Sequence, residues 1–206
     1  MNTKKYKMLK KTQIRIMQFF VSNLTKRVSL RYVAKKINMH QALAYRESKN
    51  LIKKNLILKE DDKYILNYKE NHQYLAFIEF LRSNNFFENP KNKILRLFKE
   101  DLIKNFPYDY FVALIFGSTV NSLKPNDVDI MVIIEKTEDI ENAEKALYNI
   151  ANNYTIKLHT IVLSFESVFE MLNSRDEKNV MNEVLDKHII FYGAELYYKL
   201  ITNGRK

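Results

Sequence analysis

"LIFGSTVNSLKPNDVDIMVII", residues 114–134, sets one of only three glycines in a 206-residue chain at the end of an apolar run. An ordinary chain is about 7% glycine, so glycine this scarce marks places where no other residue fits. The run before Gly117 reads as a buried strand, and "DVDIMVII" after it reads as another. Alternation along the second strand puts Asp127, Asp129, Met131 and Ile133 on one face. Val128, Ile130, Val132 and Ile134 point to the other, which must be core. Two ionised carboxylates about 7 Å apart along a strand repel each other unless a cation lies between them. Magnesium held by carboxylates and substrate phosphates is the usual answer. Gly117 lets the backbone turn closely at the strand end, and Ser118 opens a short helical stretch whose N–H groups and hydroxyl suit a phosphate.

Further elements flank the two strands. Residues 91–105 read as a helix with Ile94, Leu97, Phe98 and Leu102 inward. A further strand lies in "YTIKLHTIVL", with Lys157 and His159 on the face toward the aspartates.

An apolar strand, Gly-Ser, a short helix and Asp-x-Asp heading an apolar strand resemble the nucleotidyltransferase superfamily, which includes DNA polymerase β and the small minimal nucleotidyltransferases. The resemblance covers roughly residues 91–200 and implies an α/β (α+β) fold with a mixed sheet. It implies that Gly117 and Ser118 grip the phosphates of an NTP, ATP by preference. Asp127 and Asp129 would hold Mg2+ and act as the catalytic pair. Lys124 is the candidate for the positive charge that many members supply with an Arg-Gly pair, absent here. A third carboxylate normally completes the site; the facing residues here are Lys157 and His159, and Glu166 lies just past the strand. Either a cation replaces the metal and the domain is silent, or His159 serves as base to an acceptor hydroxyl.

The charge is uneven. Residues 1–69 hold 18 Lys/Arg against 4 Asp/Glu, whereas residues 70–206 hold 16 against 20. Such asymmetry points to a basic, nucleic-acid-facing part joined to something else. Within the basic part, residues 12–24 carry Ile14, Met17, Phe20, Val21 and Leu24 at helical spacing. Ser29 caps a second helix, and a tight turn leads to a third through Ala44, Ser48, Leu51 and Ile52. A hairpin with an Asp61-Asp62 turn follows. The order resembles the winged helix-turn-helix family. That resemblance implies a third helix in the major groove, with His40, Gln41, Tyr45, Arg46 and Lys49 toward the bases. Lys63 on the wing and the lysines before residue 12 would meet phosphates. The boundaries read as 1–69 for the winged helix, 70–90 for a connector helix and 91–206 for the second domain. "ENP" at 88–90 is the break.

The totals narrow the class. No cysteine excludes disulfides, thiolate catalysis and zinc fingers. The longest apolar run, 110–116, is far below the roughly 20 residues of a membrane helix, and the basic start reads as an amphipathic helix rather than a targeting segment. A cytoplasmic chain with no membrane contact is expected. Two functions compete. One is a magnesium-dependent enzyme moving a nucleotidyl group to a protein or RNA hydroxyl; short members of this type are often antitoxins acting on a toxin partner. The other is a DNA-binding regulator with a degenerate, silent second domain. A homodimer is left open, because winged helices that read palindromes usually pair.

Overall fold

The computed structural model describes residues 9–120, 127–174 and 178–205. The basic part folds as α1 (Lys11–Val21), α2 (Leu30–Lys36) and α3 (Gln41–Lys53), closed by the hairpin β1 (Ile57–Glu60) and β2 (Lys63–Leu66). Ser29 caps α2 as its position before an apolar-periodic run requires, its hydroxyl accepting from the Tyr32 N–H at 3.3 Å. Ile16, Met17, Phe20, Val21, Leu24, Leu30, Val33, Ala44 and Leu51 fill the interior. Asp61 takes the positive φ of 52° that lets the tight turn reverse the chain. Val28 pairs antiparallel with Tyr64, so the wing has a third backbone partner from the loop before α2.

The connector is α4 (His72–Phe87), and after it come α5 (Lys93–Asn105), β3 (Phe111–Phe116) and a 3-10 turn over Gly117–Val120. They are followed by β4 (Asp127–Ile134), α6 (Ile140–Ala151), β5 (Lys157–Ser164), α7 (Phe165–Asn173), α8 (Val180–Val184), β6 (His188–Tyr192) and α9 (Ala194–Gly204). The sheet is mixed, as expected, in the order β5–β4–β3–β6. β3 pairs antiparallel with both β4 and β6, whereas β4 and β5 run parallel. All six residues of β3 are buried, as a central strand covered on both faces must be.

One face of the sheet packs Ala113, Ile115, Val128, Ile130 and Val132 against Leu95, Phe98 and Leu102 of α5 and Leu147 of α6. The other face carries Val112, Leu114, Met131 and Ile133, and its core continues through Leu75 and Ile78 of α4 into the three-helix part. Polar ties reinforce that continuity. The Thr25 N–H and hydroxyl donate to Asp186 at 2.8 and 2.6 Å, and the Thr202 hydroxyl donates to the Tyr68 carbonyl at 2.9 Å.

The inward face of α5 differs from the expected one. Leu95, Phe98 and Leu102 are buried, but Ile94 and Leu97 are 39% and 45% exposed. Apolar residues at 94, 95, 97, 98 and 102 span more than one stripe, and the docking against α6 and Tyr154 selects the stripe through Leu95.

Candidate nucleic-acid interface

α3 begins at His40, whose extended backbone (φ −60°, ψ 132°) turns the chain into the helix without a side-chain cap. Ala44, Ser48 and Leu51 anchor the inner face, and this leaves Gln41, Tyr45, Arg46 and Lys49 on the outer one. His40, Gln41, Ala42, Tyr45, Arg46 and Lys49 line one open concavity of about 660 Å³. The structure thus brings five of the six expected DNA-facing residues together. Lys63, exposed at the start of β2, stands on the wing. The lysines at positions 4, 5 and 7 lie outside the described residues.

The inner side of α3 holds a residue that the sequence reading missed. Glu47 is 2% exposed, accepts from Gln13 Nε2 at 2.9 Å and from Asn50 Nδ2 at 3.3 Å, and meets Arg46 Nε at 3.3 Å. Burial alone would raise its pKa. The hydrogen bonds from Gln13, Asn50 and Arg46 and the charge of Lys10 outweigh it and hold the carboxyl below the ordinary value. Position 47 lies three residues after Ala44 and four before Leu51, so its inward direction was available from the period alone. The one acid of α3 is thereby turned away from the outer face, while the Arg46 side chain stays 72% exposed.

The second candidate site is the corner where β3 turns to β4. Gly117 has φ +72°, and a Cβ there would run into the Asp129 carboxylate. Both the conformation and the close approach exclude other residues, which accounts for the scarce glycine. Ser118 is exposed beside it, and the Thr119 hydroxyl donates to the Asp127 carbonyl at 3.1 Å, tying the turn to β4. Lys124 lies outside the described residues. Asp127 and Asp129 are each in register with a basic residue of β5, Lys157 and His159. Lys157 Nζ lies 3.3 Å from Asp127 Oδ1, and His159 Nδ1 lies 3.6 Å from Asp129 Oδ1.

These residues do not fit the expected magnesium centre. Where the expected centre called for a third carboxylate, the adjacent strand places Lys157 and His159 beside the pair. Glu166 is placed at the far end of the strands, where its carboxylate accepts from the Thr137 hydroxyl at 3.0 Å. No group of three or more His, Cys, Asp or Glu able to hold a metal ion occurs among the described residues.

A third polar cluster joins α4 to the sheet. Glu79 is fully buried, and Arg82 Nη1 donates to its two oxygens at 2.7 and 2.6 Å. The Tyr198 hydroxyl donates to it at 3.0 Å and His188 Nε2 lies 3.3 Å away. Arg82 Nη2 also donates to the His188 carbonyl at 2.6 Å. Burial opposes the charge on Glu79, but Arg82 and His188 prevail and lower its pKa. The same burial and the nearby carboxylate push the Tyr198 phenol well above its ordinary value. Glu79 and Arg82 are the only Asp, Glu, Lys or Arg in α4. An acid and a base three residues apart on an otherwise uncharged helix was the signal for an internal pair.

No protein-family model matches the chain, and no curated protein does. A solved structure, that of the Thermotoga maritima IclR, aligns with 24% identity and a TM-score of 0.27, over 52% of this chain and 40% of that one. At that score the overlap carries no argument about this chain. The resemblance to the nucleotidyltransferase superfamily is overturned: no family model of that kind matches the chain. The physical reason for the misreading is that Gly-Ser and Asp-x-Asp form a local pattern. The partner that would give it nucleotidyl-transfer chemistry must come from another strand, and here that strand supplies Lys157 and His159. Among the described residues, no helix is long and apolar enough to cross a membrane.

Proposed function

We propose that this chain is a DNA-binding regulator that reads duplex DNA through α3 and uses its α/β part without catalysis. The observation that carries the reading is the outer face of α3. His40, Gln41, Tyr45, Arg46 and Lys49 converge on one concavity, at the helix end that the winged helix-turn-helix arrangement presents to the major groove. Gln41 and Arg46 are suited to base edges, Tyr45 to apolar and stacking contact, and Lys49 and Lys63 to phosphates. The surplus of 18 basic over 4 acidic side chains in residues 1–69 supplies the non-specific attraction. The corner of Asp127, Asp129, Lys157 and His159 is, in this reading, a self-neutralised surface of the second part.

The test is fluorescence anisotropy on a random-sequence duplex, followed by selection of a preferred site, each across a salt series. Binding should weaken steeply with salt. Lys49→Ala should weaken binding to all sequences and flatten the salt slope by about 1. Arg46→Ala should cost about 1–3 kcal/mol on the selected site and relax its specificity. Duplex binding that is absent, or indifferent to both substitutions, overturns the reading.

A further inference from the structure

The helix α4 shows the solvent a face that a surface helix does not ordinarily have. Its inward side carries Leu75, Ile78, Glu79, Ser83 and Phe87. Opposite them, on the outward side, run Gln73, Phe77, Phe80 and Asn84, spaced four, three and four residues apart, the interval of a coiled-coil seam. Phe77 is 42% exposed and Phe80 58%. In a chain with 28% charged residues, this seam has none, because the two charged residues of α4 are turned inward and paired. Loss of charge with gain of aromatic side chains is the mark of an interface core.

The seam is also its own complement. The helix midpoint of the pattern falls between Ile78 and Glu79. Phe77 and Phe80 lie at equal distance on either side of it, and so do Gln73 and Asn84. A second copy laid antiparallel over the first sets Phe77 against Phe80 and Gln73 against Asn84 twice, ring on ring and amide on amide. That is the self-matching an isologous two-fold contact demands. The aromatic pairs would supply the attraction, and the amide pairs at each end would fix the register, as a polar residue in a coiled-coil seam does.

We propose that α4 pairs antiparallel with α4 of a second copy of this chain through Gln73, Phe77, Phe80 and Asn84. The pairing stands on α4 alone and holds whether or not α3 reads DNA. Sedimentation equilibrium of the full chain is expected to give the dimer mass, falling to the monomer mass in Phe77→Glu/Phe80→Glu with the far-UV spectrum unchanged. The natural absence of cysteine allows a second readout that keeps the packing close to native. Phe77→Cys and Phe80→Cys are made separately and oxidised alone or mixed. Antiparallel pairing predicts a disulfide-linked dimer from the mixture and little from either variant alone. A monomeric wild-type chain overturns the proposal, as does a dimer that survives the double glutamate variant. Cross-linking of each variant with itself and none across the mixture overturns the antiparallel arrangement.

Discussion

The outer face of α3 and the corner of β4 and β5 handle charge in opposite ways. On α3 the acid is drawn inward, where Gln13 and Asn50 satisfy it, and the basic and polar side chains are left facing out. At the corner each aspartate stands beside a basic residue of the adjacent strand, at 3.3 and 3.6 Å. Arg46 keeps one contact with that acid, at 3.3 Å, but Gln41, Tyr45 and Lys49 face out beside it, whereas at the corner each aspartate faces a basic residue of the adjacent strand. The difference favours α3 over the corner as the place where this protein meets something else.

The largest expected effect tests the same rule in the interior. Glu79→Ala leaves Arg82 and His188 buried beside no carboxylate and is expected to cost about 3–5 kcal/mol, read as a lower urea midpoint. Glu47→Ala removes a buried acceptor shared by Gln13 and Asn50 and is expected to cost about 1–3 kcal/mol. Both glutamates titrate below their ordinary value near 4.5 in the folded chain. Their contribution is therefore complete above the unfolded value and lost as pH falls through the folded one. The urea midpoint should fall with acid across that range, and Glu79→Gln should flatten the fall. Gly117→Ala forces a side chain into a positive φ against Asp129 and is expected to cost about 1–3 kcal/mol in the same assay. The smallest effect belongs to the corner. With Lys157 and Asp127 65% and 39% exposed, Asp127→Asn should shift stability by less than about 1 kcal/mol. A much larger loss there would erase the contrast with the interior.

Sequence period made much of this fold legible, and its failures have particular causes. The cap at Ser29, the hairpin turn at Asp61 and the alternation along β4 are local, so neighbouring residues suffice to read them. The facing of Lys157 and His159 toward the aspartates followed from alternation as well. The outward turn of Ile94 and Leu97 did not, because α5 has more apolar positions than one face can hold and only docking chooses among them. The Glu79 cluster needed His188 and Tyr198, more than a hundred residues away, to become visible. For the candidate site, the local half of the strand–turn–strand pattern was read correctly as geometry. The function attached to it required a carboxylate opposite the pair, and β5 places Lys157 and His159 there instead.

The core that runs from the sheet through α4 into the three-helix part has a thermodynamic consequence. Leu75 and Ile78 belong to the same packed cluster as Phe20 and Leu51 on one side and Leu114 and Ile133 on the other. Neither part can lose its order without exposing the apolar wall of its neighbour. The chain should melt in a single calorimetric peak, with van 't Hoff and calorimetric enthalpies equal for the cooperative unit present. If α3 reads DNA as proposed, the chain cannot loosen its grip by letting one half unfold; it must release the duplex as an intact body.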